Sequence, residues 1–291
     1  MTPSPQHLAL PALIAGAIGV AFAPLFVRFS EVGPVATAFY RLLLALPVFW
    51  LWAMARDAGG PLSINRRTFR QLFLAAAFFS ADLGVWHWSL HFTTVANSTL
   101  LTNLAPVFVT LGGWLLFAEK PRPLFLVAMA VAVAGGAVLV GDSLGAGLRR
   151  VEGDLLGIAT AFFLGGYLLV VGRLRASLPT ATLMAWTSIL APLMLLPVAV
   201  ASGETLLPAT LHGWLLMAGL ALISQVLGQA LIAYALAHLP AAFGALTLLL
   251  TPAVAALLAW ALLGEAITPW QLVGGAVIIL GILLGRRAGR A

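Results

Sequence analysis

Long apolar stretches alternate with short polar connections along the whole chain. A membrane-crossing helix needs about 20 apolar residues. Ten runs approach or exceed that length: 8–27, 34–55, 70–92, 95–117, 123–141, 154–172, 180–201, 211–236, 241–263 and 269–285. The connections carry most of the charge, as in Arg56 to Arg70, Glu119-Lys120-Pro121-Arg122, Asp142 to Asp154 and Arg286-Arg287-Ala288-Gly289-Arg290. The weakest boundary is Phe92-Thr93-Thr94, where two runs nearly touch. The pattern predicts an all-α integral membrane protein of ten transmembrane helices.

Composition sharpens this reading. The 291 residues are 62% hydrophobic and 8% charged, whereas a soluble domain runs near 25% charged. So much apolar surface needs lipid as its solvent. A net charge of +6 raises nucleic acid as a partner. The basic residues sit in short groups between apolar runs, which reads as a topology signal and not a nucleic-acid surface. With the N-terminus inside, Arg56, Arg66, Arg67, Arg70, Lys120, Arg122, Arg173, Arg175, Arg286, Arg287 and Arg290 are cytoplasmic, and only Arg28, Arg149 and Arg150 are outside. Both termini are then expected in the cytoplasm of a cell with a bacterial-type inner membrane. Met1 to His7 lacks the basic n-region of a cleavable signal, so the first run is expected to be retained. Cysteine is absent, which excludes thiolate metal sites and cysteine nucleophiles.

An internal repeat appears at a shift of 146 residues. Pro106, Trp114, Glu119, Pro123 and Gly135 meet Pro252, Trp260, Glu265, Pro269 and Gly281 in one register. Apolar matches are cheap in such a chain; these are not. The halves are 1–146 and 147–291, each with five helices. Five is odd, so the second half is expected to enter the membrane from the opposite side, the inverted repeat of many secondary transporters.

The residues Phe39-Tyr40-Arg41, Leu104-Ala105-Pro106 leading to Glu119, and Leu250-Thr251-Pro252 leading to Gly264-Glu265 resemble the ten-helix EamA-type exporters of the drug/metabolite transporter superfamily. Gln271, Gly274, Gly275 and Gly281 fit that family's last helix. The first half departs from the pattern with Ala118 where the second has Gly264. Trp86-His87-Trp88-Ser89-Leu90-His91 is similar to the bacterial aromatic amino-acid exporters within the superfamily. The resemblance implies export of aromatic and other neutral amino acids.

Polar residues inside spans mark the candidate chemistry, because hydrocarbon penalises them. Arg41 lies within the second span and reads as a salt bridge or carbonyl clamp, structural or gating. Asp82 reads as a ligand for a substrate ammonium, a carrier of a coupling proton, or half of an ion pair. Asp82 and Trp86 are spaced i, i+4, as are His87 and His91. The histidine pair lacks the acidic partner of a zinc motif, so no metal is expected. Asn97, Leu101 and Ala105 form one helical stripe, bordered by Ser98. Gln225 and Gln229 share a face in the eighth span, and Phe243 and Thr247 are the repeat mates of Asn97 and Leu101. Tyr167 follows two glycines. These residues are expected to wall a cavity between spans 3, 4, 8 and 9 that suits a zwitterion with an apolar side chain. Pro106 and Pro252, being repeat mates, are read as gating hinges or passive kinks. Trp50, Trp52, Trp114, Trp214, Trp260 and Trp270 are read as interfacial belt residues.

The expected function is a secondary transporter for small molecules in a lipid bilayer, without a cofactor. With Asp82 the one carboxylate counted inside a span, facilitated diffusion with alternating access is favoured over obligatory proton drive. The alternative is a proton-coupled multidrug or broad metabolite exporter. GxSxG, HExxH and GxxxxGK[ST] patterns are all missing, which argues against an enzyme or a nucleotide-driven pump.

Overall fold

The computed structural model describes residues 5–56, 64–118, 123–174, 178–238 and 250–290. The described residues are helical, without strands. In chain order the helices are α1 (Pro5–Ala21), α2 (Ala23–Arg28), α3 (Pro34–Arg56), α4 (Arg66–Phe92), α5 (Val95–Thr102), α6 (Ala105–Phe117), α7 (Pro123–Ala146), α8 (Leu148–Leu174), α9 (Thr180–Ala201) and α10 (Leu211–Gly219). A π-helical segment, Leu220–Gly228, continues α10 into α11 (Gln229–His238), and α12 (Leu250–Leu263) and α13 (Pro269–Arg290) complete the chain. Seven described stretches are long and apolar enough to cross a membrane: Leu8–Arg28, Pro34–Ala55, Val95–Phe117, Pro123–Ala146, Leu148–Leu174, Thr180–Ala201 and Leu211–Ile232. Leu250–Leu263 and Pro269–Gly285 are shorter apolar helices. The more polar α4 runs for 27 residues.

Two apolar runs are interrupted at prolines. The first breaks at Phe22, with Pro24 in the first turn of α2. The fourth breaks at Asn103-Leu104, with Pro106 in the first turn of α6. Proline lacks an N–H, and the first helical turn is where that loss is harmless. Pro252 lies near the beginning of the described part of α12. By contrast α9 runs unbroken through Pro192 and Pro197. The connection expected from Asp142 to Asp154 is corrected to one residue: α7 extends to Ala146 and α8 begins at Leu148. Gly147 makes the turn at φ +109, which glycine adopts without a side-chain clash.

Glycine sets the tightest packing. Helix α7 packs most extensively on α13. A methyl placed on Gly135 would lie 2.7 Å from the Gly274 carbonyl oxygen, and one on Gly281 would lie 2.6 Å from the Ala132 nitrogen. Backbones that close tolerate no side chain. Gly153 approaches the Phe92-Thr93 backbone in the same way, and Gly157 faces the Leu101 side chain less closely, so these small residues pack inside the chain. The other principal pairs are α4 with α8, α3 with α9, and α1 with the π segment and α11. Helix α4 also touches α9, as α3 touches the π segment; α8 touches α5 and α6, as α1 touches α12. Ala118 and Gly264 both end their helices in the left-handed region, at φ 56 and φ 68. Leu115, Leu116 and Leu51 stand 75%, 71% and 67% exposed on the flanks, and Trp114, Trp214, Trp260 and Trp270 face outward, as a lipid-contacting surface requires.

One end of the bundle is stitched by hydrogen bonds between the turns that meet there. Arg28 pairs with Glu265 at 2.8 Å and donates to the Thr93 carbonyl at 2.6 Å. The second Glu265 oxygen accepts from the Val95 amide at 2.8 Å, capping α5. Glu204 accepts from the Val35 and Ala36 amides, at 2.9 and 3.0 Å, capping α3. Glu31 accepts from the Ala209 and Thr210 amides and the Thr210 hydroxyl. Carboxylates suit these positions because they meet the positive end of a helix and its unpaired amides. The opposite end carries Arg66, Arg67, Arg70 and Arg173, with the Arg173 guanidinium 3.0 Å from the centre of the Phe117 ring.

Candidate functional site

Charge converges midway along α3 and α4. Arg41 and Asp82 are 5% and 6% exposed and form no direct ion pair with each other. Arg41 donates from Nε to Gln225 Oε1 at 2.9 Å. Its guanidinium carbon lies 5.9 Å from the centre of the Trp86 ring, within cation–π range. Asp82 in turn acts on Tyr167, which stacks on Phe79 with ring centres 4.8 Å apart. Among the described residues, neither the Asp82 carboxylate nor the terminal Arg41 nitrogens has a hydrogen-bond partner. The chain thus buries a cation and an anion in one region without a direct ion pair between them, near aromatic rings and an amide, with hydrogen-bonding capacity left over.

The π segment positions Gln225. Inserting a residue into a helical turn rotates the following side chains and frees a carbonyl, and such segments recur at functional sites. Ser224 anchors the segment by donating to the Gly19 carbonyl at 2.8 Å. Gln225 is 1% exposed and points to α3.

The remaining candidates sort by location. His87 is fully buried beside Trp86, with Nδ1 3.1 Å from the Pro34 carbonyl and Nε2 lacking a described partner. His91 lies one turn on, at the stitched end, against the crevice lined by Arg149, Glu152 and Glu204. Gln229 is half-buried in α11. Phe243 and Thr247 lie outside the described residues. Spans 2, 3, 6 and 8 supply the residues of this cluster, and those expected from span 9 lie outside the described residues.

Asn97, Ser98 and Leu101 belong to a different structure. Ser98 and Ser89 hydroxyls share a 2.5 Å hydrogen bond. Leu101 is wholly enclosed in the apolar core between α5, α7 and α8. The Asn97 amide donates to Ser143 at 3.0 Å and to Asp154 at 3.1 and 3.2 Å, and accepts from Gln271 at 2.9 Å. Asp154 also accepts from Thr93 Oγ1 at 2.5 Å, and Gln271 reaches Thr94 at 2.9 Å. This saturated knot, tied to Thr268 and Asp142 at 2.8 Å one turn away, joins α4, α5, α7, α8 and α13. It corrects the count of intramembrane carboxylates: Asp154 is 0% exposed, a full turn and a half inside α8. The apolar-run count missed it because Leu148 to Gly153 reads as a polar loop while forming the first turns of that helix. Pro106 stands in the first turn of α6, and Pro252 lies near the beginning of the described part of α12. No group of three metal-binding side chains occurs among the described residues.

Comparison with known proteins gives this arrangement a family. The EamA-like transporter family model matches the chain twice, over residues 7–141 and 151–286. An uncharacterised transporter of Archaeoglobus fulgidus is 29% identical over 270 residues, covering 88% of each chain. A probable terminal-alkyne amino-acid exporter of Streptantibioticus cattleyicolor is 28% identical over 242 residues, covering 79% of this chain and 78% of that one. The pseudopaline exporter CntI of Pseudomonas aeruginosa is 22% identical over 240 residues, covering 82% of each. A crystal structure with 18% identity superposes at a TM-score of 0.67 over 98% of this chain and 99% of its own, and so shares the fold. A multi-span helical membrane protein with two matches to one transporter model, the chain belongs to the EamA-like transporter family.

Proposed function

We propose that the protein is a secondary carrier that exports neutral amino acids, aromatic ones included, and related metabolites across the inner membrane. The observation that carries the reading is that Arg41 and Asp82 are both buried, not paired directly with each other and incompletely hydrogen-bonded, near Trp86, Tyr167 and Gln225. An α-amino acid presents a carboxylate to the one and an ammonium to the other, and its side chain to the aromatic rings. Two relatives named as exporters, one of them of an amino acid, support the substrate class and direction.

The carrier has ten spans, built as inverted halves 1–146 and 147–291. Partner exchange between helices supports this architecture. Exchanging each residue for its repeat mate, 146 higher in the first half and 146 lower in the second, turns α1 against α11 into α8 against α4, and turns α4 against α9 into the π segment against α3. It leaves α3 with α9 and α7 with α13 as self-paired contacts. The shared left-handed helix ends at Ala118 and Gly264 point the same way. Two like halves pivoting about one centre open it to either side in turn. The arginine-rich end is cytoplasmic, together with both termini, and the stitched end is the closed outer gate. Transport runs by facilitated diffusion.

One observation favours proton coupling instead: Asp154 is a second buried carboxylate, so buried acids are less scarce than the sequence implied. Uptake of radiolabelled phenylalanine into proteoliposomes, with and without a pH gradient, decides between the two. Saturable flux independent of the gradient supports the carrier as described. Flux only with the gradient supports coupling, and no saturable flux of any neutral amino acid rejects the substrate class.

A further inference from the structure

At the stitched end, a crevice of about 760 Å³ opens between α4, α8 and the turn after α9. Its polar lining includes Arg149 and Glu152 from α8 and Trp88 and His91 from α4. Glu204 also lines it but is committed, accepting from Trp88 Nε1 at 3.2 Å and from two amides of α3. Arg149 keeps its planar face over Phe92, 5.2 Å from the ring centre, so its N–H edge remains to meet an anion. His91 Nε2 is buried without a hydrogen-bond partner. A cation, an anion and an orphaned imidazole nitrogen therefore share one mouth.

Below that mouth, a second cavity of about 350 Å³ shares Trp88 with the first and runs between α4 and α9. Ala77, Ala81 and Val85 form one wall, and Met194 and Val198 the other. Along α4, Trp88 to Ala77 spans eleven residues, or about 16 Å at 1.5 Å per residue. Half of a hydrocarbon core is about 15 Å. Leu155 and Val198 stand 56% and 50% exposed at the flanks, so the groove opens sideways to lipid.

We propose that this amphipathic groove binds a zwitterionic phospholipid with a primary ammonium, that is, a phosphatidylethanolamine. Its phosphate meets Arg149, its ammonium meets Glu152 and His91, and one acyl chain fills the groove between α4 and α9. The apolar extension, one leaflet deep, is why a lipid fits better than a free amino acid. The carboxylate beside the arginine is why an anionic headgroup fits worse.

Native mass spectrometry of the purified protein, titrated with phosphatidylethanolamine, phosphatidylcholine and phosphatidylglycerol, tests the assignment. The wild type is expected to retain phosphatidylethanolamine in preference to both others. Ala81→Phe fills the groove and displaces at least two methylenes, which amounts to about a tenfold loss of retained lipid of every kind. Arg149→Gln and Glu152→Gln sit at the exposed mouth, where folding tolerates change. Each is expected to erase the headgroup preference while lipid is still retained. Equal retention of the three lipids by the wild type overturns the proposal, and so does unchanged retention in Ala81→Phe. Displacement of bound lipid by millimolar phenylalanine overturns it too, by making the crevice a substrate vestibule.

Discussion

If Arg41 and Asp82 read the two ends of an amino acid, each should be separable by a substrate lacking one end. Phenethylamine lacks the carboxylate, and phenylpropanoate lacks the ammonium. A hydrogen bond to a charged group contributes about 1.5–3 kcal/mol. At 1.4 kcal/mol per factor of ten, phenylalanine should be preferred over either analogue by about 10- to 150-fold. The burial of both side chains, at 5% and 6% exposure, supports applying the full figure without a solvent discount. Arg41→Gln removes the carboxylate partner and should abolish the preference over phenethylamine, leaving that over phenylpropanoate. Asp82→Asn should do the reverse. Each variant also removes a buried opposite charge from the neighbourhood of the other and lowers stability, so a thermal-shift measurement accompanies each assay. The double variant Arg41→Gln/Asp82→Asn should recover part of that stability while discriminating neither analogue. Competition against phenylalanine counterflow in proteoliposomes gives the ratios. Equal inhibition of the wild type by all three compounds would refute the zwitterion reading, as would an Arg41→Gln variant that still rejects phenethylamine.

Three further outcomes follow from other parts of the fold. Ala118 holds a left-handed helix end at φ 56, a conformation costing an L-residue about 1–2 kcal/mol, so Ala118→Gly should raise the thermal midpoint, and a fall would show another conformation there. Glu31 lies in the turn after α2, and its pKa is held below the ordinary value chiefly by the Thr210 hydroxyl, with the Thr210 and Ala209 amides adding to it against desolvation. Its contribution is therefore present above the unfolded glutamate pKa of about 4.3 and lost as pH falls through the lower folded value. Glu31→Gln should be less stable than the wild type at pH 6, with the gap closing at more acidic pH; a constant gap would contradict the assignment. Glu265→Gln breaks the part-exposed pair with Arg28 and uncaps α5. Discounted for exposure to about 1 kcal/mol, that should speed labelling of a Ser30→Cys thiol by about fivefold, whereas slower labelling would mean this end is not the closed gate.

How far the sequence reached depended on what each residue's signal encodes. Span positions were legible because hydrocarbon imposes a length. That the chain repeats was legible because Pro106, Glu119 and Gly135 have costs that an apolar match lacks, and one family model matches each half. The i, i+4 pairing of Asp82 with Trp86 placed both on the face that meets Arg41. Spacing alone does not say which neighbour a face meets, so Asn97 was assigned to the cavity when it ties α5 to Asp154 and Gln271. Asp154 was hidden by a helix that begins with charged residues and carries them out of the apolar layer. The π segment at Leu220–Gly228 leaves no mark in composition, since an added residue per turn is fixed by packing against α1 and α3. The departure of Ala118 from its mate Gly264 turned out to preserve the backbone geometry and to alter only its cost.

The account stands on two halves of opposite orientation around one centre, and the absence of native cysteine allows a direct test. Ser30 and Ala176 are repeat mates 146 residues apart in the sequence, each just beyond the first expected span of its half, 8–27 or 154–172. Single cysteines introduced at these positions, probed in intact cells with a membrane-impermeant thiol reagent, should label from opposite sides: Ser30→Cys from outside, Ala176→Cys only after permeabilisation. Labelling of both from the same side would contradict the inverted architecture and the alternating pathway built on it.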